Sequence, residues 1–204
     1  MNIVLSNVGR RFNKEWIFKG VDYEFSGGQN YAVLGPNGSG KSTFLSVLLG
    51  SLTPSEGSVQ YLNPKEIEVE EIYKHISFAA PYIDLIEEFT LQETISFHFQ
   101  FKDYIDGLKQ RDVLDLLGLQ KSQDKQLKHF SSGMKQRTKL ALACCSDSPI
   151  LILDEPTSNL DHQGIDWYID LVDKFGKDKT ILVGSNQEHE YEFCEQRLNI
   201  VDYK

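Results

Sequence analysis

The 204-residue sequence contains no apolar run approaching the roughly 20 residues that cross a bilayer. Its opening stretch, MNIVLSNVGRRF, alternates like a strand and lacks the apolar block and cleavage site of a secretory leader. The expectation from both is a cytoplasmic protein. Cysteine is scarce: Cys144, Cys145 and Cys194, with no CxxC pair, so neither a zinc ribbon nor a disulfide framework fits. Cys144 and Cys145 sit in the apolar helical stretch TKLALACCS and read as small buried residues in a reducing compartment. Positive charge is also in deficit. A net charge of -9 argues against a nucleic-acid partner. Repeats, low-complexity tracts and sustained heptads are missing, which excludes solenoids and long coiled coils.

What is present is a series of short apolar runs: NIVLSNV, WIFKGVDYEF, YAVLG, SVQYL, HISFAA, ILILD, TILVG and RLNIVDY. Helical patterns begin near Lys41, Thr90, Lys109, Gly133, Gln163 and Glu188. Strands near both ends with helices between them predict an α/β core. The middle lacks a clear strand and reads as a helical insert. The expected organisation is therefore one domain over 1–204, with its core from about 1–80 and 147–204 and a helical subdomain from about 81–146. Thr90 and Glu93, in TLQE, form a capping box pattern, and Ser131 or Ser132 can cap the helix that continues into GMKQRTKLALACC.

The stretch YAVLGPNGSGKSTFLSVLLG is a strand, a glycine-rich turn and a helix. Gly35, Gly38, Gly40, Lys41 and Ser42 fit GxxxxGK[ST], with Pro36, Asn37 and Ser39 inside the turn and Thr43 after it. Such a turn points its backbone N–H groups inward as an anion nest, and the helix N-terminus adds its partial positive charge. Lys41 is placed for the β- and γ-phosphates, and the Ser42 hydroxyl is a hard oxygen ligand for Mg²⁺. This motif alone serves ATPases, GTPases and kinases. A base-reading NKxD motif is missing, since Asn13-Lys14-Glu15-Trp16 lacks the aspartate.

In PILILDEPTSNLD, Ile150 to Leu153 form the continuous apolar run of a buried parallel strand. Asp154 and Glu155 follow at its C-terminal end, where ligands bind in parallel sheets. Asp154 suits a metal-bound water, and Glu155 suits orienting or deprotonating an attacking water. Upstream, in FSSGMKQR, Ser131 and Gly133 open a helix whose N-terminus could face a second anion, although a plain helix cap accounts for this segment in isolation.

In content and order these motifs resemble the ATP-binding cassette (ABC) ATPases, the nucleotide-binding subunits of ABC transporters, over nearly the whole chain. GPNGSGKST matches their Walker A loop, ILILDE their Walker B strand, FSSGM their LSGGQ signature and SNLD, ending at Asp161, their D-loop. The resemblance implies a P-loop NTPase core with a mixed, mainly parallel sheet, an N-terminal antiparallel β portion and a helical subdomain. It implies ATP and Mg²⁺ as ligands, and a head-to-tail homodimer or a heterodimer with another cassette. In that pairing Ser131, Ser132 and Gly133 of one subunit face the γ-phosphate on the partner's Lys41, and Asp161 helps align the two sites. It further implies an integral membrane transporter subunit as partner, a place at the inner face of the membrane, and an exporter rather than an importer. Phe12, in RRF, falls where the family stacks an aromatic on adenine. Exposed aromatics of ISFHFQFKDY are candidate contacts for the membrane partner, although subdomain core is the better reading for most of them.

The chain also departs from the family. Phe130, Ser132 and Met134 alter the signature without removing its serine or second glycine. The glutamine of the family's Q-loop falls at or next to Pro81, which has no polar side chain and no N–H. Tyr82 and Asp84 read as ordinary loop residues, with reach into the site as the alternative. The family histidine is replaced by Asn186, which can donate a neutral hydrogen bond but cannot carry charge or shuttle a proton. His189, three residues on, reads as a surface residue, with substitution for the family histidine as the lesser alternative. The expectation is ATP hydrolysis that survives through Glu155 at a reduced rate. The alternatives are a soluble ABC protein and a weakly hydrolysing ATP-gated module.

Overall fold

The computed structural model describes residues 1–204. Strands β1 (Asn2–Phe12), β2 (Glu15–Phe25), β3 (Asn30–Leu34), β4 (Glu56–Asn63) and β5 (Lys65–Glu66) precede the parallel pair-forming segments β6 (Ile76–Ala79), β7 (Ile150–Asp154), β8 (Thr180–Gly184) and β9 (Gln196–Asn199). The two hydrogen-bonding senses are segregated. An antiparallel sheet has the order β2-β1-β4-β5, and a five-stranded parallel sheet has the order β6-β7-β8-β3-β9. The expected N-terminal antiparallel portion and parallel core are both present.

Every residue of β7 and β8 is buried, which is why both read as unbroken apolar runs. Their side chains nevertheless alternate. Ile150 and Ile152 of β7 enter a core shared with Phe18, Phe25 and Phe44, whereas Leu151 and Leu153 enter a second core shared with Leu140, Tyr168 and Leu171. The first core lies under the antiparallel sheet and helix α1 (Lys41–Leu48). The second lies under the helical insert and α5 (His162–Phe175).

That insert carries α2 (Leu91–His98), α3 (Gln110–Leu117) and α4 (Ser132–Cys145), and no strand element falls within it. Its two hydroxyl caps form as the sequence predicts. Thr90 Oγ1 accepts from Glu93 N at 3.3 Å while Glu93 Oε2 accepts from Thr90 N at 2.8 Å, and Ser131 Oγ accepts from Met134 N at 3.2 Å. The three cysteines are free and buried; burial pushes the Cys145 and Cys194 thiols up to about 12, consistent with a packing role. RLNIVDY is only half a strand. The Asn199 side chain accepts from Val201 N at 3.3 Å, turning Ile200–Tyr203 into a 3₁₀ turn. The short helix α6 (Glu188–Tyr191) follows β8. No helix is long and apolar enough to cross a membrane.

Where the insert rejoins the sheet, polar groups are buried together. His98 Nε2 lies 2.9 Å from Ser146 Oγ, Lys102 Nζ donates to Ile76 O at 2.8 Å, and Ser77 Oγ donates to Ser148 Oγ at 2.8 Å. Burial, aided by the neighbouring Lys102 cation, lowers the His98 imidazole from its ordinary 6.5 to about 4.

Two stability predictions follow from this packing. Phe44, fully buried and edge-on to Phe18 at 5.3 Å, should cost about 3–5 kcal/mol when replaced by alanine, whereas Thr90→Ala should cost about 1 kcal/mol; urea denaturation separates the two. The unfolded chain protonates His98 at a higher pH than the folded one does, so this site favours folding fully above pH 6.5 and loses that contribution as pH falls toward about 4. His98→Gln should therefore flatten the urea midpoint across that window.

Candidate functional site

The chain leaves β3 at Leu34, turns through 35–40 and starts α1 at Lys41. Glycine is required at Gly40 for two reasons. Its φ is 105°, and a Cβ there would lie 2.4 Å from Ile17 Cγ2. The turn is thus pressed against β2, which brings Ile17 to the same cavity. That cavity holds about 220 Å³ and is lined by Ile17, Asn37, Gly38, Gly40, Lys41, Ser42, Thr43 and Glu155. Its lining is almost wholly polar, suited to a phosphate chain rather than an apolar ligand. Gly35 and Pro36 supply carbonyls behind it, and Ser39 is buried in the turn with its hydroxyl unpartnered.

Lys41 is buried. Its Nζ donates to Gly35 O at 2.8 Å, Pro36 O at 3.4 Å and Asn186 Oδ1 at 3.2 Å. Asn186 also donates through Nδ2 to Asn37 Oδ1 at 2.7 Å. The asparagine therefore stands just beyond the end of TILVG and bridges the lysine to the tip of the glycine-rich turn.

Asp154 closes β7 opposite Gly184 of β8, and Glu155 N donates to Gly184 O at 2.9 Å. Glu155 has φ 43°, a left-handed conformation that is strained for a side chain of this kind and clusters at functional sites. Asp154 is almost completely buried, with one oxygen, Oδ2, accepting from Tyr82 Oη at 2.9 Å and the other, Oδ1, without any partner. Burial pushes its carboxyl up, against the opposing pull of the nearby Ser42 hydroxyl and the Tyr82 hydrogen bond. An unsatisfied carboxylate oxygen beside a serine hydroxyl is a donor set that fits a hard divalent cation.

Tyr82 corrects the sequence reading. It is no ordinary loop residue: its hydroxyl reaches the buried carboxylate, whereas Asp84 stays exposed and away from Lys41. Pro81 contributes only its carbonyl, which accepts from Lys139 Nζ at 2.7 Å. His189 is not a simple surface residue either. It is half-buried, with Nε2 lying 3.1 Å from Thr157 Oγ1, and it does not line the lysine's cavity.

Ser131 and Ser132 are exposed at the start of α4, and neither they nor Gly133 line the cavity around Lys41. A Cβ on Gly133 would come within 3.0 Å of Asn159 O, so the helix start abuts the turn that follows Glu155. Asp161 Oδ1 accepts from Gly164 N at 2.8 Å and caps α5. Phe12 is 46% exposed at the end of β1. The Arg10 guanidinium lies 4.7 Å from its ring centroid, and Phe12 is not among the cavity's lining residues.

Glu190 escaped the sequence reading. Its fully buried carboxylate accepts from Thr157 N at 2.7 Å, from Thr157 Oγ1 and from Ser185 Oγ. Tyr168 Oη donates to its backbone carbonyl at 2.8 Å, and Ser185 Oγ accepts from Gln187 N at 2.8 Å. The network joins the turn after Glu155 to the strand exit that carries Asn186. In EHEYEF nothing separates Glu190 from its solvent-facing neighbours, because its partners come from distant segments.

The family described as "ABC transporter" matches residues 18–158. Among curated proteins, the chain is 30% identical over 188 residues to the uncharacterized ABC transporter ATP-binding protein YcbN of Bacillus subtilis, covering 91% of this chain and 61% of that one. It is 29% identical over 202 residues to the Nod factor export ATP-binding protein I of Burkholderia lata, covering 96% and 66%. The chain thus spans about two thirds or less of the length of these relatives. Among solved structures, a dimeric bacterial ABC transporter cassette superposes with a TM-score of 0.82 at 24% identity, covering 97% of this chain and 94% of that one, a likeness of fold. With the phosphate cradle, the paired carboxylates and the family match lying on the same segments, this chain belongs to the ABC transporter family as an ATP-binding cassette.

Proposed function

We propose that the cassette binds ATP with Mg²⁺, pairs head to tail with a second cassette, hydrolyses ATP and drives a separate transmembrane protein at the cytoplasmic face of the membrane. The observation that carries this reading is the meeting of Lys41, Ser42, Asp154, Glu155 and Asn186 at one edge of the parallel sheet, with an unpartnered oxygen on Asp154. The backbone N–H groups of the turn and the N-terminus of α1 would take the β- and γ-phosphates, and Lys41 would exchange its carbonyl partners for phosphate oxygens. Ser42 and Asp154 would hold Mg²⁺, whose charge offsets that of the phosphates. Glu155 would orient the attacking water and accept its proton as the water oxygen bonds to the γ-phosphorus and the bridging oxygen leaves with ADP. Asn186, freed from Lys41, would turn its amide N–H toward the γ-phosphate. Phe12, on its face away from Arg10, would stack on adenine.

Head-to-tail pairing is supported by the position of the signature. Ser131, Ser132 and Gly133 present a helix N-terminus that does not line this chain's own cavity, so a second cassette would complete the γ-phosphate shell. Asp161, at the start of α5, would lie near the shared sites.

The membrane partner is supported by an apolar groove of about 340 Å³ between the 84–89 loop and α2. Of the aromatics in ISFHFQFKDY, Phe99 and Tyr104 stack on each other, half-buried, as the core reading expects. Phe97 and Phe101 instead stand 40% and 56% exposed at the groove. Export as the direction of transport is supported by a relative named for export. A slowly hydrolysing ATP-gated module is the second reading, favoured by the uncharged Asn186 at the γ-phosphate position.

Glu155→Gln should leave ATP binding intact and nearly abolish steady-state hydrolysis; unchanged turnover would show that Glu155 is not the base. Asn186→His should raise turnover by about tenfold or more, since one transition-state donor is commonly worth about 10²–10³ in rate. A Phe97→Ser/Phe101→Ser double variant should keep basal ATPase activity and lose co-purification with an integral membrane protein.

A further inference from the structure

The turn that carries Tyr82 is built with more care than an ordinary loop needs. Lys139, on α4, is buried, and its Nζ donates to Pro81 O at 2.7 Å and to Ile83 O at 3.2 Å, one carbonyl on each side of Tyr82. Ile83 N closes the turn onto Ala80 O at 3.3 Å. Pro81 restricts the backbone at the first arm of this clamp. The Tyr82 ring lies 6.3 Å from that of Phe78 on β6, and its hydroxyl donates to Asp154 Oδ2. One oxygen of the buried carboxylate is thereby occupied, and the unpartnered one is Oδ1.

We propose that Tyr82 is a positioning residue for the metal: its phenol ties down one oxygen of Asp154 so that the other is presented to Mg²⁺ arriving with ATP. The inference rests on reading Asp154 as the metal-side carboxylate. In this role the phenol replaces, by a different chemistry, the amide that Pro81 cannot supply. A carboxylate has two rotationally equivalent oxygens, and a fixed donor on one removes that freedom before the metal binds, which is the benefit of a preorganised ligand. Lys139 makes the arrangement depend on α4, the helix whose start carries Ser131. A phenol ordinarily loses its proton only near pH ~10, so Tyr82 is a donor at neutral pH.

The test is nucleotide binding at increasing Mg²⁺, with a fluorescent ATP analogue as probe and EDTA for the metal-free state. Tyr82→Phe removes only the hydroxyl. It should leave metal-free affinity unchanged and raise the Mg²⁺ concentration for half-maximal enhancement about tenfold, the effect expected of one lost hydrogen bond to a metal ligand. Lys139→Met, which keeps the aliphatic stem and drops the clamp, should move the same midpoint in the same direction, with the far-UV circular dichroism spectrum unchanged in both variants. An unchanged Mg²⁺ midpoint in Tyr82→Phe would overturn the inference, as would an equal loss of metal-free and Mg²⁺-dependent affinity. If the unaltered protein's binding does not respond to Mg²⁺, the reading of Asp154 fails instead.

Discussion

The parallel register of β7, β8 and β3 is the constraint from which the site follows. Asp154 pairs with Gly184, and Gly184 pairs with Val33. Three strands therefore end level, and the segments leaving them carry Asp154 and Glu155, Ser185 and Asn186, and the glycine-rich turn. A sheet of parallel strands projects all its C-terminal ends to one side, so groups more than a hundred residues apart in sequence converge without any dedicated contact. The strands tolerate this because their side chains alternate between two apolar cores. A register slip of one residue would exchange those cores and swing the carboxylates away from Lys41.

Around that edge the polar groups show how the cassette copes with two unusual residues. Asn186 holds Lys41 and Asn37 at once, a neutral bridge across the mouth of the glycine-rich turn. A histidine there could carry charge in the same place; an amide offers a fixed pair of donor and acceptor instead. Pro81 removes a polar side chain, yet its neighbour Tyr82 reaches the buried carboxylate and Lys139 holds the turn from both sides. The two departures from the family pattern thus differ in kind. Asn186 itself contacts the lysine, whereas beside Pro81 the polar contact to the site comes from the next residue, Tyr82.

Glu190 connects these parts. Its carboxylate satisfies donors from Thr157 and Ser185 with no lysine or arginine beside it, which a buried anion tolerates only when several hydrogen bonds converge on it. Gln136, also buried, donates to Pro156 O at 2.8 Å and joins the same turn to α4. The segment after Glu155 is therefore tied to the strand exit on one side and to the signature helix on the other, and a shift in one is opposed by the others.

Local chemistry was readable from the chain alone. The glycine-rich turn, the apolar runs of β7 and β8, the Thr90 capping box and the Ser131 cap all rest on residues within a few positions of one another, and sequence displays such spacings directly. Where partners lie far apart in the chain, only the tertiary structure decided. Tyr82 differs from other loop tyrosines because its hydroxyl meets Asp154 and its turn is clamped by Lys139, both distant in the chain. Glu190 differs from its exposed neighbours only because Thr157 and Ser185 face it. Phe97, in the last turn of α2, and Phe101, in the turn beyond it, stand at the groove, whereas Phe99 packs on Tyr104. Residue type and spacing display the glycine-rich turn and the paired carboxylates, whereas burial and long-range hydrogen bonds set which side chains surround them, since those depend on how distant segments pack.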